Sequence, residues 1–246
     1  AIQATQAVID QTRRVKQGLL QQLLTSGIGH TRFKQTEIGE IPDSWKFIII
    51  DDIASFVGSG VTPRGGKKNY LDKGIPLVRS QNVHFGNLRL DNVAYISEEI
   101  NAKMQRTKLH DGDVLLNITG ASIGRCTFVP INFGQGNVNQ HVCIIRCISK
   151  IASYHYVAIF LESLRGQSQI QELQAGLSRE GLNFKQVRGI KIPLPPISEQ
   201  NDISNLVMNV NESIIREERT LESLFNLKRG LMQDLLSGRV RVNGVK

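Results

Sequence analysis

Disulfides, membrane spans and a secretion leader are what this sequence is short of. It has three cysteines, Cys126, Cys143 and Cys147, in 246 residues. Three cannot all pair, so a disulfide framework is excluded and a reducing, cytoplasmic setting is expected. The longest apolar runs, such as Phe47-Ile48-Ile49-Ile50, are strand-sized and far below the roughly 18 residues of a membrane span. No charged-then-apolar leader opens the chain, so secretion is not expected. There is no initiator Met, and residue 1 falls inside a helical pattern, which reads as a fragment or a processed chain. Acids are fewer than bases, 22 against 30, for a net charge of +8. Hydrophobic residues make up 40% and charged residues 21%. That is ordinary globular composition, enough for one large domain or two small ones.

Catalytic signatures are also wanting. Phe56-Val57-Gly58-Ser59-Gly60 has the F-x-G-x-G spacing of a methyl-donor loop. Val61-Thr62-Pro63-Arg64-Gly65-Gly66 follows it, which opposes the helix such a loop needs. The companion Asn/Asp-Pro-Pro-aromatic motif does not occur. A phosphate loop ending at Gly66-Lys67 would need Gly at position 61 and Ser or Thr at 68, where Val61 and Lys68 stand. Pro42-Asp43 is not followed by any Lys with an acid two places before it, so a nuclease core fails. His141, Cys143 and Cys147 lack the second paired-ligand knuckle of a zinc site. No Ser-His-Asp or Cys-His signature is recognisable. The expectation is a chain with no catalytic residue, no metal and no cofactor.

What is present is a repeat. Val15-Lys16-Gln17-Gly18-Leu19-Leu20-Gln21-Gln22-Leu23-Leu24 matches Leu227-Lys228-Arg229-Gly230-Leu231-Met232-Gln233-Asp234-Leu235-Leu236 at Lys, Gly, Leu, Gln, Leu and Leu. Ser26-Gly27 follows one copy and Ser237-Gly238 the other. A shared glycine inside a helix costs about 1 kcal/mol against Ala, which makes chance likeness a poor explanation. Ile203, Val207, Val210, Ile214, Leu221, Leu224, Leu231 and Leu235 keep a 4-3-4-3 rhythm, broken at Glu217 and Lys228. That is the heptad of a helix seam. In the same register the first copy gives Ile2, Ile9, Leu19 and Leu23, interrupted by Thr5, Thr12 and Lys16. Each helix has one narrow apolar stripe that it cannot bury alone, so the two are expected to pack together or on partner helices.

Residues 31–196 have another texture, rich in Gly, β-branched residues and short apolar runs. Strands are expected at Phe47–Ile50, Leu77–Val78, Val114–Ile118, Arg125–Val129, Val142–Ile148 and Ile190–Leu194. One helix is expected over Ser153–Leu173, and Ser198 is placed to cap another from Glu199 onward. Positive charge clusters here. Gly60–Asn82 holds Arg64, Lys67, Lys68, Lys73 and Arg79 against Asp72, netting +4. Residues 178–191 hold Arg179, Lys185, Arg188 and Lys191 against Glu180, netting +3. Such loops suit phosphates. They are interleaved with Thr62, Gln81, Asn82, Asn117, Thr119, Arg125, Asn137, Asn139 and Gln140; Arg reads guanine, and Asn or Gln reads adenine, in the major groove. The partner expected is double-stranded DNA, and these basic and amide side chains are the candidate contacts.

Four stretches carry a resemblance. They are Gly27–Lys34 running into Glu37–Trp45, Gly58–Pro63 with Gly74–Arg79, Gly112–Gly120 with Ile123–Arg125 and Asn139-Gln140, and Ile192–Gln200. In this order the chain resembles the specificity (S) subunit of type I restriction–modification systems. A full subunit of that family has two target-recognition domains and two helical spacers; this chain has one domain and so resembles a half-subunit. The resemblance implies an α+β fold in which one mixed α/β recognition domain, residues 28–196, is flanked by a helix over 1–27 and another over 197–246, packing as an antiparallel coiled-coil-like spacer. It implies a non-catalytic protein that reads half of a split DNA site and binds modification (M) and restriction (R) subunits. A homodimer through the helices is a variant. The alternatives are a recognition fragment of a fused restriction–methyltransferase and a protein-interaction module that does not bind DNA. The helix over Glu199–Leu236 would measure about 55 Å at about 1.5 Å per residue, more than one DNA turn of about 34 Å.

Overall fold

The computed structural model describes residues 1–63, 65–66, 70–174, 181–237 and 239–240. It opens with helix α1 (Ile2–Ser26), followed by strands β1 (Phe33–Thr36), β2 (Gly39–Pro42), β3 (Lys46–Ile49), β4 (Ala54–Ser59), β5 (Ile75–Val78), β6 (Val83–His84), β7 (Asn87–Leu88) and β8 (Ala94–Ile96). Helix α2 (Glu98–Lys103) leads to β9 (Val114–Asn117), β10 (Cys126–Phe128), β11 (Asn137–Val138) and β12 (Val142–Cys147). Then come α3 (Tyr154–Glu162), α4 (Leu164–Gln174), α5 (Phe184–Arg188), β13 (Lys191–Leu194) and the 40-residue α6 (Ile197–Leu236). The fold is the expected α+β mixture with long helices at both ends. No helix among the described residues is long and apolar enough to cross a membrane.

The chain divides into two compact units, one of residues 20–205 and one of 1–19 with 206–246. The larger takes in the expected 28–196 domain and runs into both end helices. Its main sheet is antiparallel in the order β10-β9-β12-β4. Val114–Asn117 and Val142–Ile145 are buried throughout, which is why these strands read as continuous apolar runs rather than alternating ones. A second sheet runs β11-β5-β8, with β11 parallel to β5 and β8 antiparallel to it. Val78, Leu115, Val138, Val142 and Ile144 share one core cluster, which joins strands of the two sheets. Burying such side chains stabilises by about 1.5–3 kcal/mol each. Gly60 fits that junction because a Cβ there would lie 1.7 Å from the Val138 carbonyl oxygen. The F-x-G-x-G spacing therefore serves strand packing.

One carboxylate gathers the first and last stretches of the resemblance. Glu199 Oε1 accepts from the Ile28 amide at 3.0 Å and lies 2.8 Å from His30 Nε2. Its Oε2 accepts from the Trp45 indole at 3.0 Å, and Trp45 is 1% exposed. Gly27 adopts φ +63°, where a Cβ would fall 2.6–2.7 Å from His30, Glu199 and Trp45. The Ser-Gly ending of the first repeat is thus a left-handed helix stop, its amide donating to Leu23 O; Gly238 of the second copy lies outside the described residues. Buried Gln200 accepts from the Ser153 amide and donates to the Ile151 and Pro195 carbonyls.

Two local expectations are corrected. Ser198 is not the cap of α6: the helix begins at Ile197 and Gln200 already donates to Pro196 O, because prolines before a helix suit its unpaired first turn. The expected Ser153–Leu173 helix is two, α3 and α4. They part at Ser163, whose hydroxyl donates to Phe160 O and accepts from the Gly166 amide. This side-chain bonding competes with a continuous helix.

In the smaller unit, Lys16 Nζ donates to Asn211 Oδ1 at 2.9 Å and Arg13 Nη2 to Glu218 at 2.6 Å. Residue numbers rise along one helix as they fall along the other, so the pairing is antiparallel, as expected. Ile9, Val207 and Ile214 are buried, while Leu19, Val210, Leu221 and Leu224 are half-buried. Lys16, on a seam position, is itself buried, which explains how the heptad carries a lysine without losing its place. Leu23 and Ile203 are also buried but belong to the larger unit. Leu231 and Leu235 are 54% and 46% exposed.

Candidate nucleic-acid interface

A cleft of about 490 Å³ opens on the larger unit where the turns after β5 and β9 meet the start of β12; it is lined by Ser80, Gln81, Thr119–Ser122, Arg125 and His141. Its walls are tied from below by Asn117, the last residue of β9. The Asn117 amide donates to Ser80 O at 2.9 Å and to Ser122 Oγ at 3.1 Å. Gly120, at φ +74°, turns the chain into the short helical turn Gly120–Ser122. Just before the turn after β9, Ile118 O accepts from the Leu182 amide at 2.8 Å.

The side chains on the rim form a chain of hydrogen bonds. The Thr62 hydroxyl donates to Gln140 Oε1. Gln140 Nε2 lies 3.0 Å from His141 Nε2, and His141 Nδ1 meets Thr119 Oγ1. His141 is steadied by its own amide, which donates to Asn139 Oδ1 at 3.1 Å. Among the described residues the exposed Arg125 side chain makes no hydrogen bond or ion pair, so its guanidinium is available to a ligand.

Of the expected DNA contacts, Gln81, Thr119 and Arg125 line this cleft and Gln140 and Thr62 join it through His141. Lys185 is exposed on α5. Arg64, Lys67, Lys68 and Arg179 lie outside the described residues. Four amides are buried and bonded within the fold. Asn82 is buried, its Oδ1 accepting from the Arg79 amide and its Nδ2 donating to Arg89 O. Asn117 and Asn139 are buried in the bonds given above. Asn137 is buried against Thr107, Asn101 and Met104. A buried amide keeps its partners because losing one costs about 1–3 kcal/mol. Arg79 is held too, donating to Asn92 O at 3.0 Å with its guanidinium 5.3 Å from the Tyr70 ring centre. Around 178–191 the charge is partly neutralised locally: Arg188 pairs with Asp51 at 2.5 Å, and Lys191 pairs with Glu37.

A family profile described as "Type I restriction modification DNA specificity domain" matches residues 42–226. The chain belongs to this specificity family. Among relatives in the specificity family, the "Putative type I restriction enzyme MjaX specificity subunit" of Methanocaldococcus jannaschii is 26% identical over 236 residues, 95% of this chain and 52% of that one. The "Type I restriction enzyme EcoBI specificity subunit" of Escherichia coli is 27% identical over 204 residues, 82% of this chain and 42% of that one. The chain spans about half the length of the curated relatives it matches. In solved structures, a type I S subunit from M. genitalium aligns with TM-score 0.66 at 13% identity over 94% of this chain and 55% of that chain. The HsdS subunit from Thermoanaerobacter tengcongensis aligns with TM-score 0.59 at 15% identity over 94% and 52%. At these identities the likeness is one of fold.

For a specificity-family chain, the residue of this rim that sequence reasoning does not single out is His141. Beside Cys143 and Cys147 it suggests a metal set by residue type alone, one that already fails in sequence for want of a second paired-ligand knuckle. Those cysteines lie along β12 inside the sheet, where burial pushes both thiols up to about 12, and no cluster able to hold a metal exists among the described residues. His141 instead sits at the strand's open end, between Gln140 and Thr119. The available signal was its place directly after two candidate reading amides.

Proposed function

We propose that this chain is a sequence-specificity subunit that binds double-stranded DNA, reads one half of a bipartite site, and has no catalytic role of its own. The observation that carries this reading is the cleft: on a domain of this family, polar side chains from three separate turns converge with an unpaired arginine beside them. Basic groups at its margin would fix register on phosphates and the cleft would sample base edges. The partners are modification and restriction subunits, which would supply the methyl transfer and cleavage, in a cytoplasmic setting. Pairing of two copies through their helices would restore a second reading domain, and sedimentation at several concentrations reports on it.

Selection from a random duplex pool, with and without a modification subunit, tests the reading. A gapped or half-site consensus is expected. Binding should weaken steeply with salt, because neutralised phosphates release counterions in proportion to their number. Binding that is indifferent both to sequence and to salt would refute it.

A further inference from the structure

With the Gln140 amide oriented as it stands, the hydrogen-bond chain on the cleft rim runs in one direction. A primary amide nitrogen donates and never accepts, so Gln140 Nε2 must donate to His141 Nε2. The amide stands with its oxygen toward Thr62, whose hydroxyl donates to it. With Nε2 accepting, the neutral imidazole holds its proton on Nδ1. Nδ1 therefore donates to Thr119 Oγ1. The Thr119 hydroxyl proton is thereby freed, and among the described residues no acceptor takes it. Three residues thus act to turn Thr119 into a donor aimed away from His141, on the lining of the cleft.

Arg125 and Ser122 on that lining bias the same way, while the Gln81 amide there carries both a donor and an acceptor. Arg125 brings only donors. Ser122 Oγ already accepts from Asn117, which leaves its proton to donate. The carbonyl of Ser80 is taken by the same amide. Asn117, which ties the cleft walls, is fully buried, with an Oδ1 that has no hydrogen-bond partner among the described residues.

We propose that this cleft reads a guanine, with the Arg125 guanidinium and the Thr119 hydroxyl donating to the N7 and O6 of its major-groove edge, and with Thr62, Gln140 and His141 as positioning residues that set Thr119 as a donor. Guanine alone presents two acceptors and no donor on that edge. Adenine and cytosine bring an amino group that would meet donors, and thymine offers one acceptor beside a methyl group. The inference rests on the DNA-binding reading above and specifies the base.

The test uses the full chain and the duplex consensus selected by it, with each guanine replaced in turn by 7-deazaguanine, which lacks N7. One position is expected to lose about 5- to 150-fold in affinity, the range of a bidentate contact. Arg125→Gln should abolish that preference. Thr119→Val, close in shape but without the hydroxyl, should reduce it, Thr119→Ser should restore it, and His141→Phe should mimic Thr119→Val. Circular dichroism on each variant separates folding from readout. If the wild-type chain selects a consensus but every variant keeps its full guanine preference, the assignment fails while the DNA-reading function stands. If no duplex is selected at all, both fall.

Discussion

Asp113 offers the sharpest check on how the reading domain is held together. Its side chain is fully buried, and Arg146, which pairs with it at 2.7 Å and 2.8 Å through two nitrogens, is 24% exposed. The same carboxylate accepts from the His110 amide at 2.8 Å, and Arg146 donates onward to Lys108 O at 3.0 Å. Removing the acid by Asp113→Ala strands a guanidinium and a backbone amide. Breaking a buried pair costs about 3–5 kcal/mol, and the partial exposure of Arg146 places this case near the lower figure, about 3 kcal/mol. For a domain of this size, each kcal/mol moves Tm by about 2–4 °C, so the transition of the larger unit should fall by about 6–12 °C. Thermal unfolding followed by circular dichroism measures it. The double variant Asp113→Leu/Arg146→Met should recover part of the loss, since no unpaired charge remains although the His110 amide still lacks its partner. A single-variant shift below about 2 °C, or a double variant worse than the single, would refute the reasoning.

Three other outcomes follow from particular features. Thiols pushed up to about 12 are almost wholly protonated at pH 8, with roughly one thiolate in ten thousand; Cys143 and Cys147 should therefore resist an aromatic disulfide reagent in native protein and react at once in denaturant, and rapid native labelling of Cys143 would contradict its burial. Gly27→Ala should cost about 1–3 kcal/mol, because it adds a left-handed strain to contacts under 2.8 Å with Trp45, His30 and Glu199; an unchanged Tm would show that the helix stop can rearrange. Inserting one helical turn in α6 after Arg219 should lengthen the preferred gap between half-sites, read by selection on gapped duplexes, and an unchanged gap would dismiss the helix as a spacer.

Much of this was visible in the residues alone, for reasons of periodicity and repetition. A 4-3 rhythm of leucine, isoleucine and valine needs no tertiary information to specify a helix with one apolar seam. The duplicated Lys-x-Gly-Leu segments likewise announce two related helix ends, and the four ordered motifs announce the family. The interface was less legible. Asn82, Asn117 and Asn139 look the same in sequence as Gln81 and Gln140, yet the first three are buried at turns and bonded to neighbouring backbone or side chains. Burial depends on which strand packs beside which, and that depends on contacts between residues far apart in the chain. The lysine on the seam illustrates the same limit: only the position of Asn211 opposite Lys16 makes it a buried partner. His141 became a positioning candidate only when folding brought Thr119, 22 residues away, against its ring. Local pattern determined the helices, the strands and the family; the direction of each polar side chain was decided by long-range packing, because a hydrogen-bonding group is defined by what folding sets opposite it.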